Sequence, residues 1–158
     1  MFARVLRYVR LPLLLILIYA VMRFLMGPVF GAPYAPRGNS VFSVFGLTVI
    51  SCLYFGAMSN RVGRFSWLGT LLTGYVLGLW AQILIFTATL LSYLAGLEAT
   101  SYYTHWDALN VPEGTAVPMT QAMISRLFGI LLGPLLPTIT ALLGRLIFGA
   151  LSPRCDEP

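Results

Sequence analysis

Long apolar runs separated by short polar stretches divide the chain into four parts. The runs show no strict alternation of apolar and polar positions, and each is close to or above the about 20 apolar residues that cross a bilayer as a helix. Only helices and closed barrels satisfy their backbone hydrogen bonds in lipid, and barrel strands are alternating segments of about ten residues. The pattern therefore predicts four transmembrane helices, at residues 11–30, 41–58, 65–97 and 121–151.

The connections between the runs complete a predicted all-α integral membrane protein, a four-helix bundle forming a single membrane domain over residues 1–158. Its one long connection is an outer loop at 98–120, between the third and fourth helices. In that loop Tyr102, Trp106 and Leu109 follow helical spacing, and Tyr and Trp favour the headgroup layer of a bilayer. We therefore expect a short interfacial helix there.

The arginines predict the orientation of the bundle, because cytoplasmic loops of membrane proteins carry an excess of basic residues. With the N-terminus in the cytoplasm, only Arg37 falls in an outer loop, and the acidic residues of the 98–120 loop lie outside. Both termini are then cytoplasmic (N-in/C-in). The arginines that this orientation places inside are Arg4, Arg7, Arg10, Arg61, Arg64 and Arg154. Arg145 is expected as an anchor at the inner face of the fourth helix, which fits the same rule.

The N-terminal run also has the basic and apolar regions of a signal peptide. However, Arg23 interrupts the residues after it, and no A-x-A-like cleavage site precedes Pro28. We expect an uncleaved first helix.

Composition supports the bilayer as the solvent of this chain. Of its 158 residues 58% are hydrophobic and 9% are charged, against about 25% charged in soluble domains. The net charge of +5 comes from arginines that punctuate the apolar runs, so a nucleic-acid partner is not predicted. The expected location is the cell membrane as a multi-pass protein, with a bacterial inner membrane favoured.

Two arginines within the runs are candidates for intramembrane or interfacial ion pairs. Arg23 lies thirteen residues after Arg10, about 20 Å further along a helix, and Arg126 lies just inside the fourth run. A charge in the hydrocarbon core costs about 2.5 kcal/mol or more, so partners or snorkelling to the interface are expected. The candidate partners are Glu98, Asp107 and Glu113, with the Gln82 amide as a further candidate for Arg23.

The fourth run contains a predicted helix break at Pro134 and Pro137. Each proline lacks an N–H, which frees the carbonyl four residues earlier. Such carbonyls bind ions or substrates in some transporters, whereas a plain kink is the alternative favoured here.

Pairs of glycines four residues apart are candidates for helix packing, within the bundle or between copies: Gly74 and Gly78, Gly129 and Gly133.

The outer loop holds the weak candidates for a metal site, His105, Asp107 and Glu113. Imidazole and carboxylates are acceptable zinc ligands, yet no paired-His or HExxH spacing accompanies them.

The two cysteines support neither a disulfide framework nor a metal site. No cofactor is predicted. The chain lacks the residue patterns of nucleophilic, phosphoryl-transfer or glycosidic catalysis, so an enzyme is not favoured.

The stretch "FSWLGTLLTGYVLGL" (65–79) resembles, over about ten residues, the second helix of the fluoride channels, which are small four-helix membrane proteins. Gly74 stands near the position of that family's asparagine, and no counterpart of its Thr-Phe-Ser-Thr-Phe stretch is present. No function is carried across from this resemblance.

Three functions remain open at this point. The favoured one is a structural or interaction role, as an accessory subunit or partner in a membrane assembly, through other subunits or self-association. The alternative is a small oligomeric transporter or channel, for which a net lining of arginine favours an anion. A metal-binding protein that uses the outer loop is the least favoured.

Overall fold

A computed structural model describes residues 1–26, 30, 43–97, 109, 111 and 115–151. No strand occurs in these ranges, so the all-α prediction is confirmed for the described part of the chain. The helices are α1 (Phe2–Tyr8), α2 (Arg10–Phe24), α3 (Val44–Met58), α4 (Trp67–Leu94), α5 (Met119–Leu132) and α6 (Leu135–Phe148).

Two of these elements are long and apolar enough to cross a membrane. One is α4, with 28 residues, and the other is α5 with α6, which together span 30 residues. The pair α1–α2 makes a third if it is counted as one bent span. Helix α3 has 15 residues, fewer than the about 20 of a typical span. Among the described residues there are thus two or three candidate spans, where the sequence predicts four in the chain.

The N-terminal stretch differs from the expected boundaries because it is helical from Phe2, nine residues before the predicted start. The Ala, Leu and Arg residues that it contains are good helix formers. Helices α1 and α2 meet at an angle of 58°. Pro12 has no N–H to donate to the carbonyl of Tyr8, so the helical hydrogen bonding is interrupted at this corner.

The centre of the molecule is formed by α3, α4 and α6, which pack closely because glycines face their neighbours. A Cβ on Gly74 of α4 would lie 2.6 Å from Thr138 Cα of α6. On α3, Gly56 lies directly against the backbone of Ala141, and Gly144 of α6 lies against the carbonyl of Leu53. Small residues allow such close approach between membrane helices, where no hydrophobic effect drives association.

The outer surface of the bundle is strongly apolar, and the buried core is small. Leu131 and Leu146 on α5 and α6 are 70% and 67% exposed. Contiguous exposed apolar surface of this extent is rare on monomers in water, whereas lipid tails cover it readily. The buried apolar cluster consists of Val9, Ile16, Cys52, Leu77, Ala81 and Ala141.

Candidate functional site

Polar chemistry is concentrated at one end of the bundle, which we call the basic end. It comprises α1, the turn at residues 59–66 and the C-terminal part of α6. These segments meet there because α1 contacts the turn through Arg4 and Tyr8, and α6 contacts it through Arg145. The arginines of this region are Arg4, Arg7, Arg10, Arg61, Arg64 and Arg145.

Arg145 is the most extensively bonded arginine of the basic end. Its Nη1 donates to the Phe65 carbonyl at 3.0 Å and to Thr70 Oγ1 at 2.7 Å. The guanidinium carbon lies 4.3 Å from the centre of the Trp67 ring, a cation–π geometry. The planar fork of arginine suits this combination of stacking and directed hydrogen bonds. Arg145 therefore joins α6 to the start of α4.

The same network continues to α3 through two hydroxyl groups. Thr70 Oγ1 and Ser59 Oγ are 2.7 Å apart, and Ser59 Oγ also donates to the Gly56 carbonyl at 2.7 Å. Both side chains are buried. Because a buried hydroxyl without a partner is costly, this chain of bonds fixes the ends of three helices relative to one another.

Helix α1 is attached to the basic end by an aromatic cluster. The Tyr8 hydroxyl donates to the Phe55 carbonyl at 2.9 Å, and its ring meets the Phe65 ring edge to face at 5.2 Å. Arg4 lies over the same Phe65 ring, with its guanidinium carbon 5.5 Å from the ring centre. The turn beside it contains Arg64 in the left-handed region (φ 51°), which is uncommon for a residue other than glycine.

The sequence predicted only part of this end. Arg145 was expected as an anchor at the inner face, but its partners Phe65, Trp67 and Thr70 were not identified. In "RFSW" (64–67) the rings of Phe65 and Trp67 follow Arg64, but the arginines that contact them are Arg4 and Arg145, which are distant in sequence. Such contacts, like that across 75 residues between Arg145 and Thr70, have no local signature.

At the opposite end of α4, Arg126 of α5 is held by a hydroxyl. Its Nε donates to Thr89 Oγ1 at 3.2 Å, and Thr89 in turn donates to the Ile85 carbonyl at 2.9 Å. Arg23 is half-buried near the end of α2. The acids predicted as ion-pair partners, Glu98, Asp107 and Glu113, lie outside the described residues, so these pairs remain predictions.

The proline segment and the glycine pairs come together between α4 and α5–α6. The helix is interrupted between Leu132 and Leu135. Thr138 Oγ1 donates to the Pro134 carbonyl at 2.7 Å. A Cβ on Gly78 would lie 2.8 Å from Pro134 Cα. The first glycine pair thus faces α6 of the same chain.

The second glycine pair faces Gln82 of α4. The Gln82 amide lies directly over Gly133, and a Cβ on Gly129 would lie 3.1 Å from its Oε1. Gln82 is half-buried, near the middle of the long helix α4. The two glycines, which have no side chain, leave space beside the proline break, and the Gln82 amide occupies it.

The buried hydroxyls of the described core all have hydrogen-bond acceptors within the chain. Each lies within hydrogen-bond distance of the carbonyl three or four residues earlier, which is the common arrangement of Ser and Thr in membrane helices. They are Thr48, Ser59, Thr70, Thr73, Thr89, Ser92 and Thr138.

Metal-ligating groups do not converge in the part of the chain that the structure describes: no group of three His, Cys, Asp or Glu side chains there has the geometry to hold a metal ion. The outer-loop candidates His105, Asp107 and Glu113, and the predicted interfacial helix, lie outside the described residues.

Comparison of the chain with known proteins found no matching family model, no matching curated protein and no matching solved structure.

Proposed function

We propose that the chain is a small polytopic protein of the cell membrane, a single domain with four spans, that serves as an accessory subunit or interaction partner in a membrane assembly. In this proposal α1–α2, α3, α4 and α5–α6 are the four spans. Both termini lie in the cytoplasm, and the protein belongs to a bacterial inner membrane.

The orientation is supported by the distribution of charge along the bundle. Six of the ten arginines, with α1, the 59–66 turn and the C-terminal end of α6, lie at the basic end. A face this rich in arginine is typical of the cytoplasmic side. The short helix α3 is compatible with a span because a stretch shorter than the hydrocarbon core is accommodated by local thinning of the bilayer.

The structural role is supported by a single observation, the use of buried polar groups in the described core. All seven buried hydroxyls lie within hydrogen-bond distance of a backbone carbonyl three or four residues earlier in the chain. A binding or catalytic site usually gathers polar groups that converge on a ligand, whereas these stabilise helices and their packing.

The test is purification of the tagged protein from its host membrane in a mild, native detergent, with mass identification of what co-purifies. We expect a defined set of membrane proteins at fixed stoichiometry, and loss of that assembly when the gene is deleted. A chain that migrates alone, at its own mass of 17.4 kDa plus detergent, in every detergent tested would contradict the role.

A small anion transporter or channel is the second candidate, favoured by Arg126. This arginine belongs to the proposed span formed by α5 and α6 and donates to Thr89 of α4. A cation at such a position attracts anions. Flux of halide and small organic anions into proteoliposomes tests it, with Arg23→Ala and Arg126→Ala as variants and Arg64→Ala as the control for loss of one positive charge. Flux that only the first two variants abolish would support transport over a structural role.

A further inference from the structure

An apolar groove runs along the surface of the molecule between α1–α2 and α4. It has a volume of about 460 Å³, within the about 300–1,000 Å³ of sites that hold small organic ligands. Leu6 of α1 lines it, with Leu14 and Leu17 of α2 and Val76 and Trp80 of α4 on the other walls. The two N-terminal helices that bound the groove meet at an angle of 58°.

The walls of this groove offer almost no hydrogen-bonding group. Only two of its lining side chains, Tyr75 and Trp80, carry a hydrogen-bonding group, and the Trp80 indole N–H already donates to the Leu13 carbonyl at 3.0 Å. Water finds few partners on such walls, and an empty groove would leave the lining atoms without dispersion contacts on one side. In a bilayer, the groove is therefore expected to hold a hydrocarbon chain.

A cation stands on the same face of α2 as the groove-lining leucines. Arg10 precedes Leu14 by four residues and Leu17 by seven, the spacing that places helical side chains on one face. Arg10 is exposed, and among the residues that the structure describes none forms a hydrogen bond or ion pair with its guanidinium. Arg7, also exposed, lies one turn before it.

We propose that this groove binds one acyl chain of an anionic phospholipid, whose phosphate pairs with Arg10 and is attracted by Arg7. The two parts of such a lipid match the two parts of the site, an apolar groove and a positive charge on the same face of α2 as the leucines that line it. Basic sites at the cytoplasmic ends of membrane helices are typical places for anionic headgroups. The proposal rests on the membrane location proposed above, but on neither the assembly role nor transport.

The headgroup is tested by native mass spectrometry of the full chain in detergent, titrated with phosphatidylglycerol or with phosphatidylcholine of the same acyl chains. We expect one phosphatidylglycerol to bind preferentially, and Arg10→Gln to weaken its binding about fivefold. Arg64→Gln, which removes one charge from the same end outside the groove, should leave the binding unchanged. Equal binding of the two lipids, or equal effects of the two variants, would overturn the assignment of the phosphate to Arg10.

The groove is tested by two neighbouring substitutions on α2. Leu14 lines the groove and Leu15 does not, while their exposures are nearly equal, 53% and 51%. We expect Leu14→Trp to fill the groove and displace the lipid, and Leu15→Trp to retain it. Retention by both variants would overturn the proposal. A lipid-free dimer, with twice the mass of the chain, that Leu14→Trp dissociates would also overturn the proposal, because a second copy of the chain would then occupy the groove.

Membrane insertion is measured separately, by extraction of host membranes at alkaline pH. If the chain stays in the membrane but binds no lipid, only this inference is contradicted. If the chain is extracted as a soluble protein, the proposed membrane location is contradicted as well.

Discussion

Arg145 shows at the scale of one residue how a charge is accommodated at the end of a membrane span. A guanidinium that leaves water needs hydrogen-bond acceptors and favourable electrostatics to offset its desolvation. The Phe65 carbonyl, Thr70 Oγ1 and the Trp67 ring supply both. All three partners belong to the start of α4 or the turn before it, so one side chain joins the end of α6 to another helix.

Replacement of Arg145 by alanine should lower the free energy of unfolding in detergent by about 1–3 kcal/mol, because hydrogen bonds to a charged group and a cation–π contact are lost. Arg145→Lys should recover only part of this loss, since an ammonium keeps the charge but not the planar fork. Unfolding by titration with a denaturing detergent, followed by tryptophan fluorescence, measures both.

Arg7→Ala is the control for Arg145→Ala, because Arg7 is exposed at the same end of the molecule. It should change the stability by less than about 0.5 kcal/mol. If the two alanine variants were equally stable, the network around Arg145 would contribute nothing to the fold.

At the scale of the element, the packing of α4 against α6 depends on the glycines of α4. The Cβ that Gly74 lacks would lie 2.6 Å from a backbone atom of α6, whereas that of Gly129 would meet only the end of the Gln82 side chain, at 3.1 Å. A backbone cannot give way without moving the whole helix, but a glutamine side chain can rotate.

Gly74→Ala should therefore destabilise the protein by about 1–3 kcal/mol through overpacking. Gly129→Ala should be neutral or slightly stabilising, because alanine exceeds glycine in helix propensity by about 1 kcal/mol. The same detergent unfolding assay compares the two variants. Equal losses in both would mean that helix propensity and local crowding, and not the approach of α4 to α6, govern this interface.

The elements also show what could be predicted from the sequence. Apolar length was enough to locate α4 at Trp67–Leu94 within the expected 65–97, because a continuous apolar run has few alternatives to a helix. The helical start at Phe2 was missed because its arginines were interpreted only as a topology signal. The partners of Gly74 and Gly78 could not be predicted, since a glycine pair indicates close packing without identifying what packs there.

At the scale of the whole molecule, the arrangement of charge along the bundle carries the account. The basic end was predicted from the positions of Arg4, Arg7, Arg10, Arg61 and Arg64 along the chain. Arg145 was expected at the same face, and the structure adds its bonds to Phe65 and Thr70. The ion pair of Arg23 with the outer loop required a distance between residues far apart in sequence, which periodicity does not provide. This pair and the metal site of the outer loop remain predictions.

The central claim, that α4 crosses the membrane with the basic end in the cytoplasm, is tested most directly by labelling single cysteines with a membrane-impermeant maleimide. The background is the Cys52→Ala, Cys155→Ala double variant. Asn60→Cys then reports on the 59–66 turn and Ala116→Cys on the opposite end, both at exposed positions. We predict that intact bacterial cells label only Ala116→Cys and that inverted membrane vesicles label only Asn60→Cys. Labelling of both positions from the same side would contradict the account.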